Sequence, residues 1–148
     1  MKQNKKGFTL IELLAVIVIL AIIALIATPI ILNMINDARK SAAKDSAYGY
    51  IDAVEKYVTL ASMGEVSTEY DSAVLPTGYS TASGATVTCT EACATSSDTF
   101  LSAVNATVKG TKPDKVTLVF ANGNLTTGTT FTYGDYTLTY NGTELSFS

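Results

Sequence analysis

Residues 7–14 have the sequence Gly7-Phe8-Thr9-Leu10-Ile11-Glu12-Leu13-Leu14, and an apolar run continues them to Leu32. No charged residue lies between Leu13 and Met34. As an α-helix, the 25 residues 8–32 extend over about 38 Å, which exceeds the roughly 30 Å thickness of a bilayer's hydrocarbon core. The sequence therefore predicts a membrane-spanning helix close to the N-terminus.

One acidic side chain, Glu12, lies inside this apolar run. A carboxylate within a membrane span is costly unless it is paired, so it is a functional hypothesis by default. The sequence has no Lys, Arg or His between Lys6 and Arg39 that would pair with it. Cleavage of the chain after Gly7 would create a cation, the α-amine of Phe8. That amine lies one helical turn from Glu12 of its own chain, and it can meet the Glu12 of a neighbouring, axially staggered helix.

Residues 5–13, Lys-Lys-Gly-Phe-Thr-Leu-Ile-Glu-Leu, resemble the type III leader and cleavage site of type IV pilins and the related pseudopilins. The resemblance extends over roughly residues 1–60. It implies that a membrane prepilin peptidase cuts between Gly7 and Phe8 and then N-methylates Phe8. It also implies that Thr9 and Glu12 register incoming subunits and that Pro29 kinks the helix. The leader and the apolar run are similar to those of clostridia and related Gram-positive bacteria.

The resemblance also implies a set of partners. These are other copies of the chain in a helical homopolymer, the peptidase, a membrane platform protein and an assembly ATPase. Lys2, Lys5 and Lys6 favour a cytoplasmic N-terminus, with the rest of the chain outside. We therefore expect a single-pass precursor in the cytoplasmic membrane, followed by a pilus at the cell surface.

Two other interpretations of the apolar run are a plain signal anchor and a cleaved secretory signal peptide. A secretory signal ends in a small-residue cleavage site, and residues 8–32 contain no Ala-x-Ala. The expected processing motif precedes the apolar run, so the run stays in the mature chain.

Composition limits the function classes. Removal of residues 1–7 leaves seven basic and 13 acidic side chains, a net charge of −6, which disfavours a nucleic-acid surface. The chain has no His, the commonest general base and metal ligand. No catalytic, cofactor or metal site is predicted, and the chain is interpreted as a structural protein rather than an enzyme.

The helix is predicted to continue beyond the membrane, from residue 8 to residue 63 in total. Apolar residues recur there at steps of four, three, four and three, flanked by Tyr50 and Tyr57: Ala47, Ile51, Val54, Val58 and Ala61. We expect this stripe to pack on a sheet, although a coiled-coil partner would need the same pattern. The predicted organisation is a leader at 1–7, an apolar helix at 8–32, an amphipathic helix at 33–64 and a globular part at 65–148.

The C-terminal third has strand patterns separated by Asn-Gly and Gly-Asp dipeptides, which are hairpin turn signals. Turns are expected at residues 122–123, 134–135 and 141–142, and the first would pair Phe120 with Leu125. A two-residue turn at the last would pair Tyr140 with Thr143. The expected inner face of this antiparallel sheet is Leu118, Phe120, Leu138, Leu145 and Phe147. The predicted fold class is α+β, the type IV pilin fold with a long kinked helix on a small sheet.

The segment before this sheet gives weaker signals. Residues 75–78, Leu-Pro-Thr-Gly, are interpreted as a turn and residues 86–89 as a short strand. Cys89 and Cys93 are candidates for a disulfide if the residues between them form a tight or helical turn, with free thiols as the alternative. Asp98 is expected to cap a short helix over residues 99–106.

Together these features favour a structural subunit of a type IV pilus that serves adhesion, twitching motility or biofilm formation. One alternative is a pseudopilin of a type II secretion or competence DNA-uptake system. The other is a minor tip pilin that acts as an adhesin.

Overall fold

A computed structural model describes residues 7–63, 84–91, 93–95 and 98–148. The chain divides into two compact units, Met1–Arg39 and Lys40–Ser148, which are considered separately below. The helices are α1 (Leu10–Met63), a short 3-10 turn (Cys93–Thr95) and α2 (Thr99–Thr107). The strands are β1 (Ala85–Cys89), β2 (Lys115–Ala121), β3 (Asn124–Leu125), β4 (Thr129–Tyr133), β5 (Tyr136–Tyr140) and β6 (Leu145–Phe147). The predicted turn at residues 75–78 lies outside the described residues.

Helix α1 runs without interruption from Leu10 to Met63, with Pro29 inside it. The predicted helix is confirmed, although it begins two residues later than expected. Its buried residues all belong to the second unit, and they lie at helical spacing: Ala43, Ala47, Tyr50, Ile51, Val54, Tyr57 and Val58. The predicted stripe is therefore buried except at Ala61, and the two tyrosines that were expected beside it are part of the core.

The six strands form one antiparallel sheet in the order β1-β2-β4-β5-β6, with β3 paired to β2. The α+β architecture, a long N-terminal helix packed on an antiparallel sheet, agrees with the type IV pilin fold expected from the resemblance. Aromatic rings join helix and sheet. The Tyr50 ring meets Phe131 edge to face at 5.8 Å between centroids, and Tyr57 meets Phe100 of α2 at 5.6 Å.

Two of the three predicted turns have the expected register. Phe120 pairs with Leu125 across Asn122 and Gly123, which both have positive φ angles of 51° and 82°. Positive φ at both central residues is the geometry of a type I′ hairpin turn. The turn at residues 134–135 likewise joins β4 to β5.

The third predicted turn is wrong in its register. Tyr140 pairs with Leu145 rather than with Thr143, so the connection contains four residues, 141–144. The Asn141 side-chain oxygen accepts hydrogen bonds from the backbone N–H groups of Thr143 (2.9 Å) and Glu144 (2.8 Å). This local bonding widens the loop, because an Asn side chain that mimics a backbone turn competes with the two-residue hairpin.

The expected inner face is correct except at its last member. Leu118, Phe120, Leu138 and Leu145 are all buried, whereas Phe147 is 42% exposed. A shift of register by two residues keeps side chains on the same face of a strand. It also moves Phe147 opposite Leu138, and Phe147 is the last residue of the edge strand β6. Its ring meets that of Tyr136 edge to face at 6.3 Å between centroids.

Helix α2 begins where the sequence predicted. The Asp98 carboxylate accepts a hydrogen bond from the Leu101 backbone N–H at 2.9 Å, which is the N-cap geometry. Cys89 and Cys93 are joined by a disulfide with a Cα–Cα separation of 5.7 Å, and a 3-10 turn begins at Cys93. The disulfide therefore connects the end of β1 to the segment that leads into α2.

Candidate processing and assembly site

The chain is not helical at residues 7–9, directly before α1. Gly7 is exposed, and the Phe8 side chain is 92% exposed. The peptide bond between Gly7 and Phe8 therefore lies in a solvent-exposed segment that an enzyme can approach without unwinding the helix. This is where sequence reasoning places the leader cleavage.

The fold itself does not require glycine at residue 7. A Cβ atom added to Gly7 would meet no atom within 4 Å, and no unusual φ angle is recorded there. A glycine that the described structure does not need is consistent with selection by something that binds this segment. The described structure thus gives no packing reason for glycine at residue 7, and its role in cleavage stays a prediction.

Thr9 and Glu12 bond each other reciprocally at the start of α1. The Thr9 backbone N–H and the Thr9 hydroxyl both donate to Glu12 Oε2, at 2.8 and 2.7 Å. The Glu12 backbone N–H lies 3.3 Å from Thr9 Oγ1 and donates to it. This is a capping box, in which the N-cap Thr and the Glu three residues later satisfy otherwise unpaired N–H groups.

The capping box explains the two polar residues of this segment in structural terms. The resemblance implies contacts between subunits for Thr9 and Glu12. The bond between the two residues was not predicted, although Thr-x-x-Glu before an apolar run is its recognised signal. The box supplies hydrogen bonds to the carboxylate but no opposite charge. Among the described residues the sole recorded ion pair is Lys56–Asp52, so the charge of Glu12 is not neutralised within this part of the chain.

The apolar residues that follow are not covered by any other part of the described chain. Large apolar side chains from Leu10 to Met34 are between 49% and 83% exposed, including Leu10, Leu25 and Val18. By length and composition α1 is able to cross a membrane, and its most apolar 18-residue window has a mean hydropathy of 3.2 with none of it buried. A surface of this size requires lipid or other helices around it.

Pro29 lies within this exposed apolar half of α1. Proline has no N–H, so the helix lacks one backbone hydrogen bond at this turn. The Thr28 hydroxyl, on the residue directly before Pro29, donates to the Ala24 carbonyl at 2.7 Å. The helical assignment continues through Pro29, and a kink at this position stays a prediction.

The remaining candidate residues, Cys89 and Cys93, belong to the second unit. They contribute to a buried polar chain. Asn105 Nδ2 donates to the Cys93 carbonyl at 2.7 Å, and the Tyr50 hydroxyl donates to Asn105 Oδ1 at 3.1 Å. The disulfide segment is thus tied to α2 and, through Asn105, to α1, which is a structural role.

Comparison with known proteins gives one match. Residues 2–28 match the family model described as the prokaryotic N-terminal methylation motif. Neither the curated proteins nor the solved structures gave a match to the chain. The matched range contains the Gly7–Phe8 bond, the capping box and most of the exposed apolar helix, so the chain carries a prepilin-type leader motif.

Proposed function

We propose that this chain is the structural subunit of a type IV pilus and polymerises through the apolar half of α1. The observation that carries the proposal is the start of that helix. A carboxylate held at the first turn precedes an apolar surface that is exposed among the described residues. The match of residues 2–28 to the N-terminal methylation motif supports the same function.

The proposed pathway begins with the precursor in the cytoplasmic membrane. A prepilin peptidase cuts between Gly7 and Phe8 and methylates the new α-amine of Phe8. A membrane platform protein and an assembly ATPase then move the subunit out of the bilayer. Because no Lys, Arg or His lies between Lys6 and Arg39 and cleavage removes Lys6, the partner left for that charge is the α-amine of Phe8, which we assign in the filament to an adjacent subunit.

Assembly would then give the Glu12 carboxylate a charged partner in addition to Thr9. Before assembly, Glu12 accepts both of its recorded hydrogen bonds from Thr9. In the polymer, the positive amine of a neighbour adds a charge-assisted bond, which is stronger than a bond between neutral groups. Pairing is satisfied at one axial offset only, and the apolar helices supply the packing area around it.

The decisive experiment is to shear filaments from cells that express the chain and to sequence the N-terminus of the sheared protein. The expected result is long filaments whose subunits begin at N-methylated Phe8. Subunits that still begin at Met1 would contradict the proposed processing. Filaments confined to the cell envelope would favour a pseudopilin, and a subunit found at filament tips alone would favour a tip adhesin.

A further inference from the structure

The face of the sheet that points away from α1 carries a continuous array of hydroxyl groups. Cross-strand pairing aligns one residue from each of five strands in a single row. The members of this hydroxyl row are Thr88, Thr117, Thr130, Thr139 and Ser146. None of the five is buried.

A second row runs beside it and contains Lys115, Thr132 and Thr137. Hydroxyls of neighbouring strands contact one another, with 3.3 Å between Thr132 Oγ1 and Thr137 Oγ1. Adjacent strands lie about 4.8 Å apart, and residues two apart on one strand lie about 6.7 Å apart. The outer face is therefore a two-dimensional lattice of hydroxyls and methyl groups.

The chemistry of this face excludes several kinds of partner. Among the outward residues of the described strands β1, β2, β4, β5 and β6, Lys115 is the one charged side chain, and none is aromatic. Nucleic acids require clustered cations and stacking rings. Protein interfaces depend on buried aromatic or Arg anchors, and a membrane surface requires an apolar patch.

The hydroxyl and methyl groups of the outer face match an uncharged polymer of sugars. Each threonine offers a hydroxyl that both donates and accepts, beside a methyl group. A sugar ring likewise presents hydroxyls beside C–H groups. Without residues 1–7 the whole chain carries a net charge of −6, which one lysine on this face does not offset. A strongly acidic polymer is therefore repelled, and a neutral ligand is favoured.

We propose that the outer face of the sheet is a docking surface for a neutral polysaccharide, with the hydroxyl row at its centre. The inner face of the sheet is occupied by α1 and α2 within the second unit, so a ligand has the outer face. Without rings to stack on, one copy binds weakly, because its hydrogen bonds replace bonds to water. Multivalent display raises the affinity, and for the cell this step rests on the proposed filament.

The experiment uses the full-length chain in detergent, coupled densely to beads so that multivalency does not depend on pilus assembly. The probes are fluorescent dextran, mannan and hydroxyethyl cellulose, with fluorescent alginate as an acidic polymer. The test variant combines Thr117→Val, Thr130→Val and Thr139→Val, which removes three hydroxyls and keeps the β-branched shape. The matched control combines Thr99→Val, Thr111→Val and Thr143→Val, three exposed threonines outside the hydroxyl row.

We expect wild-type beads to retain at least one neutral polysaccharide, and retention to fall at least about tenfold in the test variant. The control variant should bind as wild type. A third variant with Thr→Ser at the three test positions should also bind, because it keeps the hydroxyls. If the triple variant does not fold, Thr139→Val is compared with Thr143→Val.

Several results would overturn the proposal. They are no retention of any neutral probe by wild type, retention of alginate alone, equal loss in the test and control variants, or loss in a folded Thr→Ser variant. The proposed pilus function is tested separately by the sheared filaments, so either idea can fail without the other.

Discussion

Thr9 and Glu12 satisfy each other at the first turn of α1 before any neighbouring subunit is present. The capping box explains how a carboxylate is held at the start of an apolar helix, because two hydrogen bonds from Thr9 reach the carboxylate and a third joins the Glu12 N–H to the Thr9 hydroxyl. The sequence alone identified both residues as candidates for contacts between subunits, which stays a prediction. It did not predict their bond, because the interpretation looked for a cation between chains rather than for a cap within one.

Thr9→Val tests the capping box. The variant keeps the side-chain shape and the backbone donor but removes the hydroxyl, which is both a donor to Glu12 Oε2 and the acceptor for the Glu12 N–H. We expect backbone amides of residues 10–13 to exchange with solvent about fivefold faster in detergent, as for loss of an N-cap. Thr28→Val is the control, since the Thr28 hydroxyl donates to the Ala24 carbonyl inside the helix and takes no part in the cap. Equal exchange of these amides in the two variants would contradict the cap.

Two buried tyrosines differ in their hydrogen bonding. The Tyr50 hydroxyl donates to Asn105, whereas the buried Tyr133 hydroxyl has no hydrogen-bond partner among the described residues. We expect Tyr50→Phe to lower the free energy of unfolding by about 1–3 kcal/mol, since it leaves a buried amide oxygen unpaired. Tyr133→Phe should be neutral or stabilising. Urea unfolding of the full chain in detergent measures both, and a larger loss in Tyr133→Phe would contradict the assignment.

The same tyrosines predict the response to alkaline pH. Burial raises the pKa of Tyr50, and burial together with Tyr50 and Asp114 raises the pKa of Tyr133. The folded state therefore holds these protons more tightly than the unfolded state, whose tyrosine pKa is about 10. The contribution of the two tyrosines to the free energy of unfolding is therefore fully present below about pH 10 and is lost as the pH rises above it. The urea midpoint should be flat from about pH 7 to 9 and then decline, less steeply in Tyr133→Phe. A midpoint that is flat above pH 10 would contradict this.

Among the elements, the hairpin turns show what local sequence determines. Asn-Gly occurs at residues 122–123 and 141–142, but Asn122 is the one described non-glycine residue with positive φ. A type I′ turn needs positive φ at both central residues, so the second Asn-Gly does not form one. The dipeptide predicted that a turn exists. Its type depended on whether the Asn141 side chain accepted hydrogen bonds from the following backbone.

Asn141→Ala tests that explanation. The substitution removes an acceptor shared by the Thr143 and Glu144 N–H groups. We expect the end of the sheet to lose about 1 kcal/mol. This should appear as faster amide exchange in β6 and at Ser148, whose N–H donates to the Thr137 carbonyl. Asn141→Asp keeps the acceptor and serves as the control. Unchanged exchange in the alanine variant would mean that the loop does not depend on this side chain.

At the scale of the whole molecule, sequence patterns predicted that the helix packs on the sheet, but not which aromatic rings meet across the core. The cap and extent of α2 follow from Asp98 and the apolar residues after it. Its place in the core depends on Phe100, which meets Tyr57 at 5.6 Å and Phe120 at 6.1 Å between ring centroids. Periodicity identifies which face of an element is apolar, but it does not say which distant aromatic ring covers that face.

The two units also differ in how their apolar surface is covered. The unit Lys40–Ser148 buries its own core, while the apolar residues of Met1–Arg39 are exposed in the described chain. The exposed apolar surface of Met1–Arg39 must be covered by a bilayer first and, in our proposal, by other copies of the chain afterwards. In the same proposal the charge at Glu12 selects the offset between copies, because apolar packing alone is compatible with many offsets.

Glu12→Ala should therefore separate insertion from assembly. The variant removes the carboxylate but keeps the apolar surface, so we expect normal membrane insertion and cleavage between Gly7 and Phe8. Sheared filament yield should fall at least about tenfold, the change that follows when a pairing that favours one offset is lost. Glu55→Ala, which removes an exposed carboxylate from the second half of α1, is the matched control and should assemble as wild type. Filaments at wild-type yield from Glu12→Ala would show that helix packing sets the offset without the charge, and loss of cleavage would place Glu12 in peptidase recognition instead.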